Sequence, residues 1–373
     1  MKKLGFGFMR LPLVDPNDQK AIDLPMVEAM ADAFFKAGYT YCDTAWMYHD
    51  FMSERTVGSA VVKRYPRDCF TVATKMPVAM LHSHQQGVDI FERQKQNLGV
   101  DFFDYYLVHD MGNANYENAK KYDMLSFLRE KRAAGEIRRL GFSCHDTAEF
   151  LDRVLTECPW FEFVQLQINY LDWDSDGVQS RKCYEVCVKH DKPVIVMEPI
   201  KGGTLARLPA PAEQMLKNIH PDWTPAAWAL RFVASLPQVK VVLSGMSNLE
   251  QLQQNAALMA DPEPLTDAER DTLIRAAAMI RGTIAIPCTG CRYCVEENKC
   301  PKNIPIPDYF SLYNTQQLYV NRDWTPERAV YENIVKRGGG RASDCVACRQ
   351  CERVCPQRIE ISAFMPKVAK AML

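Results

Sequence analysis

Eight of the 14 cysteines in this chain fall after residue 287, in two tight groups. The first is Cys288, Cys291, Cys294 and Cys300, followed by Pro301, with the spacing C-x2-C-x2-C-x5-C-P. The second is Cys345, Cys348, Cys351 and Cys355, followed by Pro356, with the spacing C-x2-C-x2-C-x3-C-P. Thiolates at two-residue intervals wrap a tight loop around one face of a metal cubane. The fourth cysteine then reaches outward, and the proline stops the chain from continuing as helix. Structural zinc is the alternative, but it takes four ligands, commonly as two C-x2-C pairs, and has no use for a third cysteine at the next step. The spacing favours two 4Fe–4S clusters and an electron-transferring protein. The other six cysteines, Cys42, Cys69, Cys144, Cys158, Cys183 and Cys187, are scattered and read as core residues. A disulfide scaffold would be small and would spread its cysteines throughout.

The second group resembles the run found in bacterial two-cluster ferredoxins, where the fourth cysteine ligates the other cluster. The resemblance implies that Cys288, Cys291, Cys294 and Cys355 hold one cluster, and Cys345, Cys348, Cys351 and Cys300 the other. The first group departs from the pattern in its last gap, Val295 to Lys299. An outward bulge there would leave Cys300 in place.

A second set of chemical residues lies far upstream: Asp43, Tyr48, Lys75 and His109. Asp43, Lys75 and His109 each end a short apolar run, and Tyr48 follows Asp43 in a loop. Singly, each has an ordinary explanation as a loop cap, a solvated lysine or a structural histidine. Together they form a proton-transfer constellation. An ammonium favours the phenolate and so lowers the pKa of a nearby tyrosine. An aspartate against that lysine keeps it charged and oriented, and a histidine can hold a carbonyl oxygen beside the phenol.

The elements that must position these residues follow from the apolar pattern. Strand-like runs are Leu4–Phe8, Tyr39–Asp43, Phe70–Thr74, Tyr105–Val108, Arg139–Phe142, Phe163–Gln167, Val194–Met197 and Val239–Leu243. Helical patterns separate most of them, among them Met26–Ala37, Ser53–Arg64 and Tyr122–Ala134, the first and third ended by glycine. This alternation predicts an α/β fold, a (β/α)8 TIM barrel, whose chemistry sits at the C-terminal ends of its strands. A doubly wound open sheet is the alternative, but no G-x-G-x-x-G follows the first strand. Between the cysteine groups, helices are expected from Ile306 and, with Thr325 as cap, from Pro326. Gly338 to Gly340 read as a turn, with a phosphate loop as the weaker reading. The expected division is residues 1–275 as the barrel and 276–373 as a small, mainly helical, ferredoxin-like iron–sulfur domain.

The run Asp43-Thr44-Ala45-Trp46-Met47-Tyr48, with Ser53-Glu54 and Gly58, resembles the signature of the aldo-keto reductases. Lys75 and His109 fill the other two places of that family's catalytic tetrad. The likeness continues through Gly141-Phe142-Ser143, Gln165, Asn169-Tyr170, Glu198-Pro199, Ser244 to Ser247 and Asn255, over roughly residues 1–275. With the cysteine-rich tail, the chain is similar to the family's iron–sulfur branch. The resemblance implies a site for NADP(H) or NAD(H). Ser143 and Gln165 would hold the carboxamide, and Tyr170 would reach the nicotinamide face. The loop from Pro199 through Lys201, Gly203 and Leu205 would pass over the pyrophosphate, with Lys201 supplying charge. Ser244, Gly245 and Met246 would line the adenosine phosphate end, and Asn255 the adenine. Where NADPH-selective members place a lysine and an arginine, this chain has Gly245 and Gln251, so little fixed charge awaits a 2′-phosphate. Trp46, Met47 and the loop after Asp110 would line the entrance, with the cluster domain as lid or wall.

Charge excludes other classes. The chain has 45 basic and 46 acidic residues in 373, which gives no electrostatic reason to expect nucleic acid or an anionic membrane. No apolar run is long enough to span a bilayer or serve as a secretion signal, so a cytoplasmic protein is expected. The reaction implied is reduction of an aldehyde or ketone, or its reverse, on a small-molecule substrate. Hydride moves two electrons and a cubane normally one, so three readings stand. In the first, the clusters exchange electrons with an outside ferredoxin-like or flavoprotein partner. In the second, they drive substrate reduction without nicotinamide. In the third, they are structural or sense redox state.

Overall fold

The computed structural model describes residues 2–16, 18–175, 178–317 and 326–372. Eight parallel strands close into a barrel in sequence order. They are β1 (Leu4–Gly7), β2 (Tyr41–Asp43), β3 (Thr71–Met76), β4 (Phe103–Val108), β5 (Ile137–Cys144), β6 (Phe163–Gln167), β7 (Val194–Met197) and β8 (Val239–Ser244). The expected strands are all present, with shifted ends. β3 continues past Thr74 to Met76, which places Lys75 inside the strand rather than after it.

Strand alternation explains what sits at the barrel mouth. Tyr41, Ala73, Leu107 and Phe163 fill the barrel interior together with Ile195, Val241 and Leu243. Two residues further along a strand the same face recurs. There stand Asp43, Lys75, His109 and Gln165, in the order of the interior layer below them. The opposite faces of the strands join the large apolar cluster that includes the helix side chains Phe34, Phe91, Leu128, Leu151 and Trp228.

The helices follow the expected pattern with local differences. Leu24–Lys36 and Met124–Ala133 are regular α-helices. The segment read as one helix from Ser53 changes hydrogen bonding partway: Ser53–Val57 is α-helical and Gly58–Val62 is a π-helical turn. The capped helix Asp267–Arg281 runs unbroken across residue 275, and its Leu273, Ala276, Ala277 and Ile280 pack into the barrel's cluster. The last barrel helix therefore extends beyond the expected boundary.

The C-terminal region has its own core, including Ile286, Ile304, Ile306, Tyr309, Phe310, Ile361 and Met365. Its helices include Ile306–Gln316, Pro326–Lys336 and Ile361–Met372. Trp324 and Thr325, read as the approach and cap of the second, lie outside the described residues. The triple glycine packs against the Cys300 loop. A side chain on Gly340 would begin 1.8 Å from the Lys302 carbonyl oxygen, and the Gly340 N–H donates to Asn303 O at 2.8 Å. Its amide is thereby used structurally and is not turned toward a phosphate. Among the described residues no helix is long and apolar enough to cross a membrane.

Candidate active site

Lys75 is the centre of the barrel-mouth chemistry. Its Nζ donates to Asp43 Oδ1 at 2.6 Å, to the Thr44 carbonyl oxygen at 2.7 Å and to the Tyr48 hydroxyl at 3.4 Å. Asp43 Oδ2 accepts a second bond, from Gln165 Nε2 at 3.1 Å. All four side chains are buried. The Tyr48 and His109 rings meet edge to face, with centroids 6.1 Å apart. Met47 packs beside Tyr48 with Met9 and Met80.

The residues around the signature serve as struts. Ser53 Oγ donates to Phe8 O at 3.0 Å and lies 2.8 Å from Thr44 Oγ1. Glu54 is buried and accepts from Thr74 Oγ1 and Gln94 Nε2, each at 2.7 Å. Gln94 in turn donates to the Lys75 carbonyl oxygen at 2.9 Å. This network fixes β3 where the lysine leaves it, which accounts for a Ser-Glu pair that does not face the cavity.

Burial sets the protonation states. Burial acts to lower the Lys75 ammonium, but Asp43 and Tyr48 beside it outweigh that and hold it above the usual lysine value. Tyr48 differs from the sequence expectation. Burial raises its phenol above the ordinary value and outweighs the lowering by Lys75. His109 lies well below the usual histidine value because of burial, then Lys75, then His145, so its imidazole is neutral at neutral pH.

A cavity of about 580 Å³ opens from Asp43 and Tyr48 across the barrel mouth. Its walls include Gln165, Pro199, Gly203, Ser244, Gly245, Met246, Gln251 and Asn255. Asn255 Nδ2 donates to Ser244 Oγ at 3.2 Å, and Gln251 Oε1 accepts from the Ser247 N–H at 2.8 Å. Four residues expected at the cofactor do not line this cavity. Ser143 is level with Gln165 on the neighbouring strand, and its Oγ accepts from the Asp110 N–H at 2.8 Å. Tyr170 packs in the apolar core edge-on to Phe232. Leu205 is a core residue. Lys201 is buried and ion-paired to Asp172 at 2.7 Å, with a bond to Gln357 Oε1 at 2.8 Å, so its charge is spent inside the protein.

The loop glycines matter for a different reason. Gly202 has φ +62°, and a side chain there would begin 2.3 Å from the Thr289 carbonyl oxygen. Glycine at this position lets the cysteine-rich domain seat directly on the barrel mouth.

The cysteines form two sets. Cys288, Cys291, Cys294 and Cys355 border one small cavity, with Ile306, Phe310, Ile359 and Ile361. Cys300, Cys345, Cys348 and Cys351 border another, with Ile304, Ile306, Ile361 and Met365. Four thiols in an apolar shell, without a carboxylate among them, suit an iron–sulfur centre. Cys291 also lines the large barrel-mouth cavity, so the first set adjoins it.

Several residues of this site escaped the sequence reading. Arg10 lines the cavity, its stem against Gly245, and donates to Thr289 O at 2.9 Å while pairing with Glu198 at 3.3 Å. It brings a cation to the end where Gly245 and Gln251 supply none. Gln357, two residues past Cys355, exchanges bonds with Gln167 at 2.8 and 3.2 Å. Tyr293, between Cys291 and Cys294, places its hydroxyl 3.1 Å from His109 Nε2. None belongs to a motif, and only the docking of the two regions reveals them. Glu198 Oε2, His145 Nδ1 and Thr289 Oγ1 are buried in the cavity wall without a protein partner among the described residues. The wall thus keeps hydrogen-bonding capacity for a polar occupant.

Comparison with known proteins identifies the two regions of the chain. The aldo/keto reductase family model matches residues 3–276, and a 4Fe-4S dicluster domain model matches residues 287–360. A 9,11-endoperoxide prostaglandin H2 reductase of Trypanosoma cruzi is 26% identical over 169 residues, which span 45% of this chain and 54% of that protein. A methylglyoxal reductase of Escherichia coli is 24% identical over 265 residues, 68% of this chain and 85% of that one. The crystal structure of an aldo-keto reductase from Klebsiella pneumoniae in complex with NADPH superposes with a TM-score of 0.56 at 23% identity, covering 73% of this chain and 90% of that one. The chain belongs to the aldo/keto reductase family and carries a C-terminal 4Fe-4S dicluster domain.

Proposed function

We propose that the protein reduces the carbonyl group of a small aldehyde or ketone with a nicotinamide cofactor, or runs the reverse reaction. The convergence of Lys75, Asp43 and Tyr48 beside a cavity that extends to Ser244 and Asn255 carries this reading. When bound, a reduced nicotinamide supplies the hydride. The chain supplies the proton and the position. Tyr48 and His109 Nε2 hold the carbonyl oxygen, and as the carbon takes hydride, Tyr48 gives its proton to the developing alkoxide. Lys75, fixed by Asp43 and Thr44, stabilises the phenolate left behind. Gln165 is held by Asp43 so that its remaining amide atoms face the cavity.

Each of the two cysteine sets above would hold a 4Fe–4S cluster, and Cys291 in the wall of the barrel-mouth cavity supports electron exchange between one of them and the site. An outside ferredoxin-like or flavoprotein partner would complete the circuit. Anaerobic titration with NADPH and with NADH, followed by cluster absorbance and by carbonyl turnover, tests both parts. Bleaching together with turnover is expected. Absence of nucleotide binding, with turnover driven by dithionite alone, would favour the nicotinamide-free reading.

A further inference from the structure

Tyr293 comes from the cysteine-rich domain but its hydroxyl lies in the barrel's catalytic centre. Arg292 before it has φ +67°, and the chain then enters the short helix Tyr293–Glu296. Arg292 is tied to Glu296 at 2.9 Å and to Asp308 at 3.5 Å, which anchors this turn. The Tyr293 ring is edge-on to His109 and to His145, with centroids 5.9 and 6.0 Å away. The side chain is almost wholly buried.

The hydroxyl meets His109 Nε2 at 3.1 Å, and the Tyr48 phenol lies near enough for the two groups to interact electrostatically. These two groups are the ones a substrate carbonyl oxygen needs. Hydrogen-bond reach from both, about 2.6–3.2 Å, confines an oxygen to one small volume. Tyr293 already has an oxygen on the His109 side of that volume. Two oxygens cannot share it.

We propose that Tyr293 is a positioning residue and a built-in competitor: its hydroxyl takes up the His109 Nε2 that a carbonyl oxygen would use, and substrate binds only by displacing it. The inference rests on the carbonyl-reducing reading of the site. The phenol swings into the cavity it already lines when substrate enters. Only a fraction of the protein then has the phenol displaced before substrate arrives, so apparent substrate affinity is reduced by that fraction. A carbonyl compound that bonds strongly to Tyr48 and His109 and leaves room for the displaced ring is preferred, which favours small, electron-poor aldehydes and dicarbonyls over bulky ketones. The domain bearing the clusters thereby sets specificity at the barrel's reacting atoms.

The test compares wild type with Tyr293→Phe, both cluster-replete and NADP-saturated. Calorimetric titration with acetate probes the oxygen position without turnover, and steady-state reduction of methylglyoxal probes it with turnover. Removing one competing hydroxyl is expected to tighten acetate binding about fivefold and to lower KM by a similar factor, the gain appearing in KM rather than kcat. Nucleotide affinity and cluster absorbance serve as controls for folding. Equal or weaker acetate binding in the variant, with a raised KM, would overturn the inference and make Tyr293 a donor to substrate. Binding of nucleotide without acetate binding or carbonyl turnover in either protein would overturn the carbonyl reading itself, and the inference with it.

Discussion

The Lys201 ammonium donates to Gln357 Oε1 at 2.8 Å, so a barrel lysine bonds the residue two past a cluster cysteine. The same ammonium is paired with Asp172, which also accepts from Gln167 and Asn169 at 2.8 Å each. Removing one member of a buried pair leaves the other charge uncompensated, at a cost of about 3–5 kcal/mol. Lys201→Met should therefore lower the denaturant midpoint of the intact protein substantially. A loss under about 1 kcal/mol, the size of an exposed pair, would show that water reaches the network.

Tyr48→Phe removes the proton donor and should lower kcat for carbonyl reduction by about 10²–10⁴-fold, the usual size of an acid–base contribution. Nucleotide affinity should hold. His109→Ala should damage turnover more than nucleotide binding, because its Nε2 meets Tyr293, a residue of the cavity wall, and its ring adjoins Tyr48. Equal loss of both quantities would contradict the role given to His109.

The pH profile follows from burial. Reduction needs Tyr48 protonated, and burial holds its phenol above the ordinary value. The rate should stay level as pH rises and fall only above about 10, the ordinary phenol value. Lys75→Met removes the lowering by the ammonium, so the fall should move to still higher pH while the plateau drops. A limb near neutrality in wild type that persists in Tyr48→Phe would point to another proton donor.

His145 is pushed down to about 4, chiefly by burial, with a Gln167 hydrogen bond opposing. Its folded value is thus depressed below the unfolded value of about 6.5. The unfolded chain takes up the proton first, so this contribution to stability is present above about pH 6.5 and is lost as pH falls toward 4. Thermal unfolding at about pH 7 and about pH 5 should show a larger drop for wild type than for His145→Leu. Matching drops would mean the ring titrates normally.

Ligand sets can be separated by single substitutions. Cys355→Ser should disturb the cluster of Cys288, Cys291 and Cys294, which adjoins the barrel, and Cys300→Ser the distant one. Iron content should fall in both variants, but only Cys355→Ser should change the reduction of the remaining cluster by nucleotide. Identical electron paramagnetic resonance spectra from the two variants would contradict this pairing.

The barrel was legible because the strand runs are short and apolar and helix patterns separate most of them. Asp43, Lys75 and His109 stood out as polar residues ending such strands, and two-residue alternation carries them onto the interior face. The cysteine groups were legible from spacing alone. The packing of Lys201 and Tyr170 was not legible because a lysine beside glycines and a tyrosine after a strand carry no local sign of their partners. Asp172 and Phe232 are distant or generic in sequence, and only packing pairs them. Tyr293 and Arg10 were missed for the same reason. Tyr293 sits among ligands that drew attention to metal, and its hydroxyl meets a histidine 184 positions away.

The central claim is hydride transfer to a carbonyl carbon with Tyr48 as acid. The direct measurement is a single turnover of methylglyoxal with NADPH deuterated at the transferable position, under anaerobic conditions, in wild type and Tyr48→Phe. The account predicts deuterium on the former carbonyl carbon, formed at least about 10²-fold faster in wild type. Product without deuterium, formed at equal rates in both proteins, would contradict it.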